Sequence, residues 1–149
     1  AVTSSVLVRR MEPDWTIDGR LLLDLPARLR EAQAAFSATG GLHAVGLFTR
    51  DGDLVAAFED VGRHNAMDKL VGSRLAADAL PLANSIVLLS GRASFELVQK
   101  AGAAGVPLLA AIGAPSSLAI ELAEQAGITL VAFLRDGAFN IYTHGARLR

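Results

Sequence analysis

The chain has 149 residues, 52% of them hydrophobic and 19% charged, with a formal charge of −1 at neutral pH. That length fits one well-filled core better than two, and the balanced charge excludes the broad positive footprint that extended nucleic-acid binding needs. With no cysteine, the chain itself forms no disulfide, thiolate metal site or persulfide.

A mean hydropathy of +0.39 with so little charge suggests apolar strands covered on both faces. Apolar stretches are interrupted by proline, glycine or charge too soon for a membrane span, and the opening residues lack a signal-peptide core. A cytoplasmic, membrane-free location is expected. Residues 4–10 read as a short strand, and 11–25 as an irregular connector or a pair of short strands, with a turn at Asp18-Gly19. A helix follows to about Phe36, tolerating Pro26 in its first turn and stopped by Gly40-Gly41. Residues 43–49 and 54–59 read as strands of a hairpin around Asp51-Gly52. The next helix is predicted over 64–77, with Met67, Leu70, Val71 and Leu75 on its apolar side. An alternation closes the chain: strand 85–89, helix 94–103, strand 106–112, helix 117–126, strand 128–134, and a last strand at 139–142 after Asp136-Gly137. Such a pattern predicts a three-layer α/β domain with a mixed sheet. Residues 1–39 are read as an N-terminal connector and helix, and 40–149 as the binding core.

Polar residues gather at three junctions between strands and helices. At the first, Asp60, Gly62, Arg63, His64, Asn65, Asp68 and Lys69 follow a strand. Arg63 offers a bidentate fork for phosphate or carboxylate, and Lys69 a second cation. His64 is a possible proton-transfer group that Asp68, four residues on, can orient. Glu59 and Asp60 can hold these cations or accept from the donor edge of a base. The second junction is Ser90-Gly91-Arg92-Ala93-Ser94, where an outgoing helix presents unsatisfied amides to an anion. At the third, Pro115 fixes the chain beside Ser116 and Ser117, which can cap a helix or contact a ligand. Adjacent parallel strands bring the last two junctions into one crevice.

Each junction also has a purely structural reading. The ions can pair with one another, Gly62 and Gly91 can serve turn geometry, and the serines can cap. His43, His144, Arg135, Asn140, Thr143, Glu121 and Glu96-Lys100 read more simply as turn, edge or helix-surface groups. Trp15 reads as packing. None of the junctions is a Walker A loop or a Rossmann fingerprint.

Five ordered blocks carry a family resemblance: GGLHAVGLF from Gly40, EDVGRHNAMDKLVG at Glu59–Gly72, LLSGRASFELVQKAGAAGVP at Leu88–Pro107, APSSLAIELAEQAGITLVAFLR at Ala114–Arg135, and FNIYT at Phe139–Thr143. Through them the chain resembles the formate dehydrogenase accessory sulfurtransferase family, often called the FdhD family. The resemblance implies a cytidine-deaminase-like fold and a homodimer. It also implies passage of sulfur from a cysteine desulfurase to the molybdenum cofactor used by formate dehydrogenase. In the family a cysteine-containing segment carries persulfide, and a pocket takes the guanine-nucleotide part of the molybdopterin guanine dinucleotide cofactor, which guanine diphosphate partly mimics. Deamination is not implied, since no His/Cys/Cys zinc set is present.

Carried onto this sequence, the resemblance makes Asp60, Arg63, His64, Asn65, Asp68, Lys69, Ser90, Gly91, Arg92, Ser94, Ser116 and Ser117 the expected cofactor-binding residues. The chain starts where the family's C-terminal region would start, so the sulfur-carrying cysteine is expected upstream of it, and no metal ligand or catalytic residue is assigned within it. The rival expectation is a noncatalytic nucleotide- or cofactor-binding accessory module.

Overall fold

A computed structural model describes residues 15–36 and 43–149. The strand expected at 4–10, the glycine stop at 40–41 and the boundary at 39/40 lie outside the described residues. A 3-10 helix, Gly19–Asp24, leads into α1, Leu25–Phe36. The hairpin β1 (His43–Thr49) and β2 (Leu54–Asp60) feeds α2 (Arg63–Ala76). Then come β3 (Ser85–Leu89), α3 (Phe95–Ala103), β4 (Leu108–Ala111), α4 (Ser117–Ala126), β5 (Thr129–Arg135) and β6 (Ala138–Thr143). Among the described residues from Leu25 on, the predicted strands and helices occur in the predicted order with ends moved by up to two residues, whereas Gly19–Asp24 forms a 3-10 helix instead of the connector or short strands expected there.

The six strands form one sheet in the order β2-β1-β3-β4-β5-β6. Strands β3, β4 and β5 run parallel, and the other three neighbouring pairs are antiparallel. The sheet is therefore mixed, as its hairpins and helical crossovers require. Its central strands are apolar on both sides because both sides are covered. Leu108 and Ala110 of β4 face the layer holding Trp15, Leu25 and Leu29. Leu109 and Ala111 face the layer built by Ala66, Met67 and Leu70 of α2 with Leu97 and Leu122 of α3 and α4. Burying each such leucine contributes about 1.5–3 kcal/mol, so the three layers share the stabilisation.

Two local devices set the chain direction. Gly127 ends α4 at φ +74°, a left-handed conformation that glycine adopts without steric cost. In β5 the alternation breaks where Phe133 takes φ +53° and the pairing with β6 shifts. As a result Val131 and Leu134, three apart, face the same layer. Beyond β6 the chain closes with Arg147, whose guanidinium donates to the carbonyls of Pro107 and Gly127 and to Thr129 Oγ1. Burial pushes Arg147 down to about 10.

Candidate functional site

Parallel strands β3 and β4 end at the same edge of the sheet, and their pairing continues after the strands stop. Ile112 N–H donates to the Leu89 carbonyl at 3.0 Å, and Gly113 N–H to that of Gly91 at 2.9 Å. Past a crossover, Ala93 N–H reaches the Ala114 carbonyl and Ser116 N–H the Ala93 carbonyl, both at 3.0 Å. The second and third junctions are thus laced together by backbone. Gly113 permits the approach, since a Cβ there would stand 2.9 Å from the Gly91 carbonyl oxygen. The Gly113 carbonyl in turn accepts from Phe133 N–H at 3.1 Å, tying in β5 at its left-handed residue.

Helices α3 and α4 leave from this lacing. Ser94 Oγ accepts from Leu97 N–H at 3.3 Å, and Ser116 Oγ from Ala119 N–H at 3.1 Å. Both serines are N-caps, so each satisfies one first-turn amide of its helix and leaves a net positive helix end. A cavity of about 300 Å³ opens between them. Its wall is Arg92, Ala93 and Ser94 from the second junction, Ala114, Pro115 and Ser116 from the third, and Arg63 from the first turn of α2. Three helix starts therefore meet one hollow with two guanidinium groups. Among the described residues neither arginine is ion-paired, and Arg63 Nε is buried without a hydrogen-bond partner. Ordinary protein interiors leave few such donors unpaired.

The rest of the first junction is organised differently from its sequence reading. Asp60 Oδ1 accepts from Gly62 N–H at 3.0 Å and from the Asn65 amide at 3.4 Å. Its Oδ2 lies 2.9 Å from Lys69 Nζ. The Gly62 amide foremost, then the Lys69 ammonium and Asn65, hold the Asp60 carboxyl down at about 2. Lys69 also donates to the Glu59 backbone carbonyl at 2.8 Å, so this cation braces the start of α2. Asp68 meets Lys100 of α3 at 2.7 Å. That contact replaces both the orientation of His64 by Asp68 and the Glu96-Lys100 pair expected from four-residue spacing. His64 Nε2 instead lies 3.5 Å from Ser94 Oγ, linking the first junction to the cavity wall.

Ser90 Oγ accepts from Ala44 N–H at 2.8 Å and fastens β1 to the end of β3. Gly91 leaves space beside His43, whose Nδ1 would be 3.5 Å from an added Cβ. Ser117 begins α4 but is not part of the cavity wall. Of the twelve expected residues, the structure gathers Arg63, Arg92, Ser94 and Ser116 around the hollow, with His64 behind Ser94. Asp60, Asn65 and Lys69 form the brace. Ala93, Ala114 and Pro115 are wall residues outside the expected binding set, although Pro115 is expected from sequence to fix the chain at the third junction. A wider and shallower hollow of about 550 Å³, at Asp18, Arg20, Phe139 and Arg149, lacks such convergence because Arg20 is already paired with Asp18 at 2.7 Å. Among the described residues no group of three metal-ligating side chains exists, and no helix is long and apolar enough to cross a membrane.

Comparison with known proteins places this chain in a family. The profile of the FdhD/NarQ family matches residues 2–149. The chain belongs to the FdhD/NarQ family. It is 56% identical over 142 residues to the sulfur carrier protein FdhD of Streptomyces avermitilis, covering 90% of this chain and 50% of that protein. The sulfur carrier protein FdhD of Sulfolobus acidocaldarius is 46% identical over 141 residues, covering 95% of this chain and 56% of the relative. The chain spans about half the length of these curated relatives. A crystal structure from Desulfotalea psychrophila, provisionally assigned as a formate dehydrogenase accessory protein, superimposes with a TM-score of 0.82 at 32% identity. That match covers 94% of this chain and 60% of the other. A guanine deaminase from Nitrosomonas europaea gives a TM-score of 0.56 at 17% identity, over 83% of this chain and 81% of that one. The deaminase-like three-layer fold expected for the FdhD family is therefore present.

Proposed function

We propose that this FdhD-family chain is the cofactor-binding part of a sulfurtransferase that passes sulfur from a cysteine desulfurase to the molybdenum cofactor for formate dehydrogenase. The observation carrying the reading is the convergence of three helix starts with Arg63 and Arg92 on one cavity. Oriented amides and guanidinium groups suit phosphate oxygens, and the buried, unpartnered Arg63 Nε fits a site completed by an anion. The residues present therefore fit the diphosphate of molybdopterin guanine dinucleotide. Arg63 and Arg92 would hold its phosphates, Ser94 and Ser116 would shape the amide-lined wall, and His64 would support Ser94. When bound, the cofactor supplies the metal centre that receives sulfur.

This chain's own contribution is binding and orientation. It has no cysteine, so persulfide carriage requires a thiol outside these 149 residues. The same fact favours a second reading, a binding module that recognises the cofactor or a guanine nucleotide without transferring sulfur. A persulfide found by mass spectrometry on another part of the intact protein supports the first reading, and no sulfur transfer by that protein supports the second.

Calorimetric titration with guanine diphosphate tests the site common to both. Saturable binding that weakens as salt rises is expected. Arg92→Ala should reduce affinity about tenfold or more, the range for losing a charged hydrogen bond, while circular dichroism stays unchanged. Failure to bind at both low and moderate salt removes the proposed site.

A further inference from the structure

His64 is the second residue of α2 and is half-buried. Its Nε2 stands 3.5 Å from the hydroxyl of Ser94, which is the N-cap of α3 and part of the cavity wall. That distance is at the outer edge of hydrogen-bond range and leaves room for the contact to tighten. Ser94 Oγ already accepts from Leu97 N–H. A hydroxyl has two acceptor positions and a single hydrogen, so the imidazole decides what Ser94 has left. A bare Nε2 accepts the serine hydrogen, and only oxygen lone pairs remain for the hollow. A protonated Nε2 donates to the second lone pair of Oγ and releases the hydroxyl hydrogen for an anion.

Among the described residues the ion pairs leave His64 out. Helix α2 packs against β1, β2 and α3. On β2, Asp60 is held by Gly62, Asn65 and Lys69. Glu59, in register with Ala44, stands on the α1 side of the sheet. On α3, Lys100 takes Asp68 of α2, and Glu96 is exposed in the first turn. On β1, His43 lies beside Gly91. Arg63 and Arg92 stand at the cavity itself. A histidine in a first turn sits at the positive end of its helix, where negative charge is favoured. An imidazolium there, beside two guanidinium groups, is favoured once an anion occupies the hollow. Proton and anion then reinforce each other's binding, and by linkage they do so equally.

We propose that His64 is a proton-linked positioning residue for the anion site. Protonated at Nε2, it turns the Ser94 hydroxyl toward the bound anion, so the site tightens as pH falls through the range where imidazoles titrate. This rests on the anion-site reading above. It gives the hollow a property its arginines cannot supply, since guanidinium groups keep their charge throughout that range.

The test is titration of pyrophosphate into wild type, His64→Gln, Ser94→Gly and His43→Gln at several pH values between about 5.5 and about 8. The ligand's own ionisation is common to all four, so ratios between proteins isolate the protein's share. Wild type and His64→Gln should bind comparably near pH 8. Near pH 5.5 wild type should bind about tenfold more tightly, the worth of one charged hydrogen bond. Ser94→Gly, chosen because glycine costs the helix cap little, should lose most of that acid gain, and His43→Gln should keep it. Nuclear magnetic resonance on wild type needs no variant to fold: one imidazole should reach its protonated signal position at higher pH with pyrophosphate bound than without. Equal profiles for wild type and His64→Gln, or imidazole titrations unmoved by pyrophosphate, would overturn the role while the anion site stands. An undiminished acid gain in Ser94→Gly would mean that His64 acts by charge alone and would overturn the positioning. Loss of the gain in His43→Gln would move the proton to that residue and overturn the assignment. If wild type binds no pyrophosphate at any pH, the anion site and this inference fall together.

Discussion

Arg147 is buried and Arg63 half-buried, and the two arginines face opposite situations. Arg147, at the corner beyond β6 where the chain enters β4 and β5, directs its guanidinium to the Pro107 and Gly127 carbonyls and to Thr129 Oγ1. Nearby, Thr143 Oγ1 donates to Ile128 O at 2.7 Å and accepts from Leu130 N–H at 2.9 Å. That corner is closed on itself. At the other end of the parallel strands, Arg63 Nε is buried with no hydrogen-bond partner among the described residues. The same side chain serves as a rivet where its donors are met internally and as a receptor where they are not. Burial alone does not separate the two roles; hydrogen bonding does.

The contrast can be broken most forcefully at the corner. Arg147→Ala removes several bonds and strands two carbonyls, so it should destabilise the domain by about 2–4 kcal/mol. Urea unfolding measures this, and the folded fraction should bind pyrophosphate as wild type does. A loss below about 0.5 kcal/mol would mean that the corner is no rivet. Gly113→Ala tests the other end. Its Cβ would press on the Gly91 carbonyl, costing about 1–3 kcal/mol as overpacking does and lowering anion affinity by spreading the laced loops.

Arg63→Ala should show the reverse profile: affinity for pyrophosphate down about tenfold, or 1.4 kcal/mol, with stability within about 0.5 kcal/mol of wild type. A large drop in stability would place Arg63 with Arg147. The smallest expected effect is on acid stability. Asp60 sits at about 2 in the folded chain against an ordinary 3.8. Its depressed value means that its contribution is present above about pH 4 and fades as pH falls toward 2. The stability gap between wild type and Asp60→Asn should therefore shrink over that interval; a gap constant with pH would detach Asp60 from the brace.

The order of elements was legible because the apolar runs alternate with helix-period segments and the punctuation is local: Asp51-Gly52 and Asp136-Gly137 each mark a turn. The three junctions were legible for the same reason. Which polar groups meet was not, because the deciding contacts span long sequence distances. Asp68 finds Lys100 thirty-two residues away, and Ser90 finds Ala44 across forty-six. Four-residue spacing gave His64 and Asp68 a plausible pairing, but the packing of α2 against α3 placed Lys100 closer to the acid and Ser94 closer to the imidazole. Arg147 drew no attention in the sequence, since a lone arginine near a chain end carries no local signal of its acceptors. Glu59 was noticed as an acceptor, but that its carboxylate oxygens have no partner among the described residues is a three-dimensional fact.

The lacing of the loops after β3 and β4 has a thermodynamic consequence. Ala93, Gly113 and Ser116 have their amides engaged before any ligand arrives, so docking there need not freeze a wandering loop. Little conformational entropy is then lost on association, and more of the electrostatic attraction survives as affinity. Such a hollow is ready-made: the amides of Ala93, Gly113 and Ser116 should exchange slowly with solvent in the free chain, and a small anion should bind it without first reorganising the backbone.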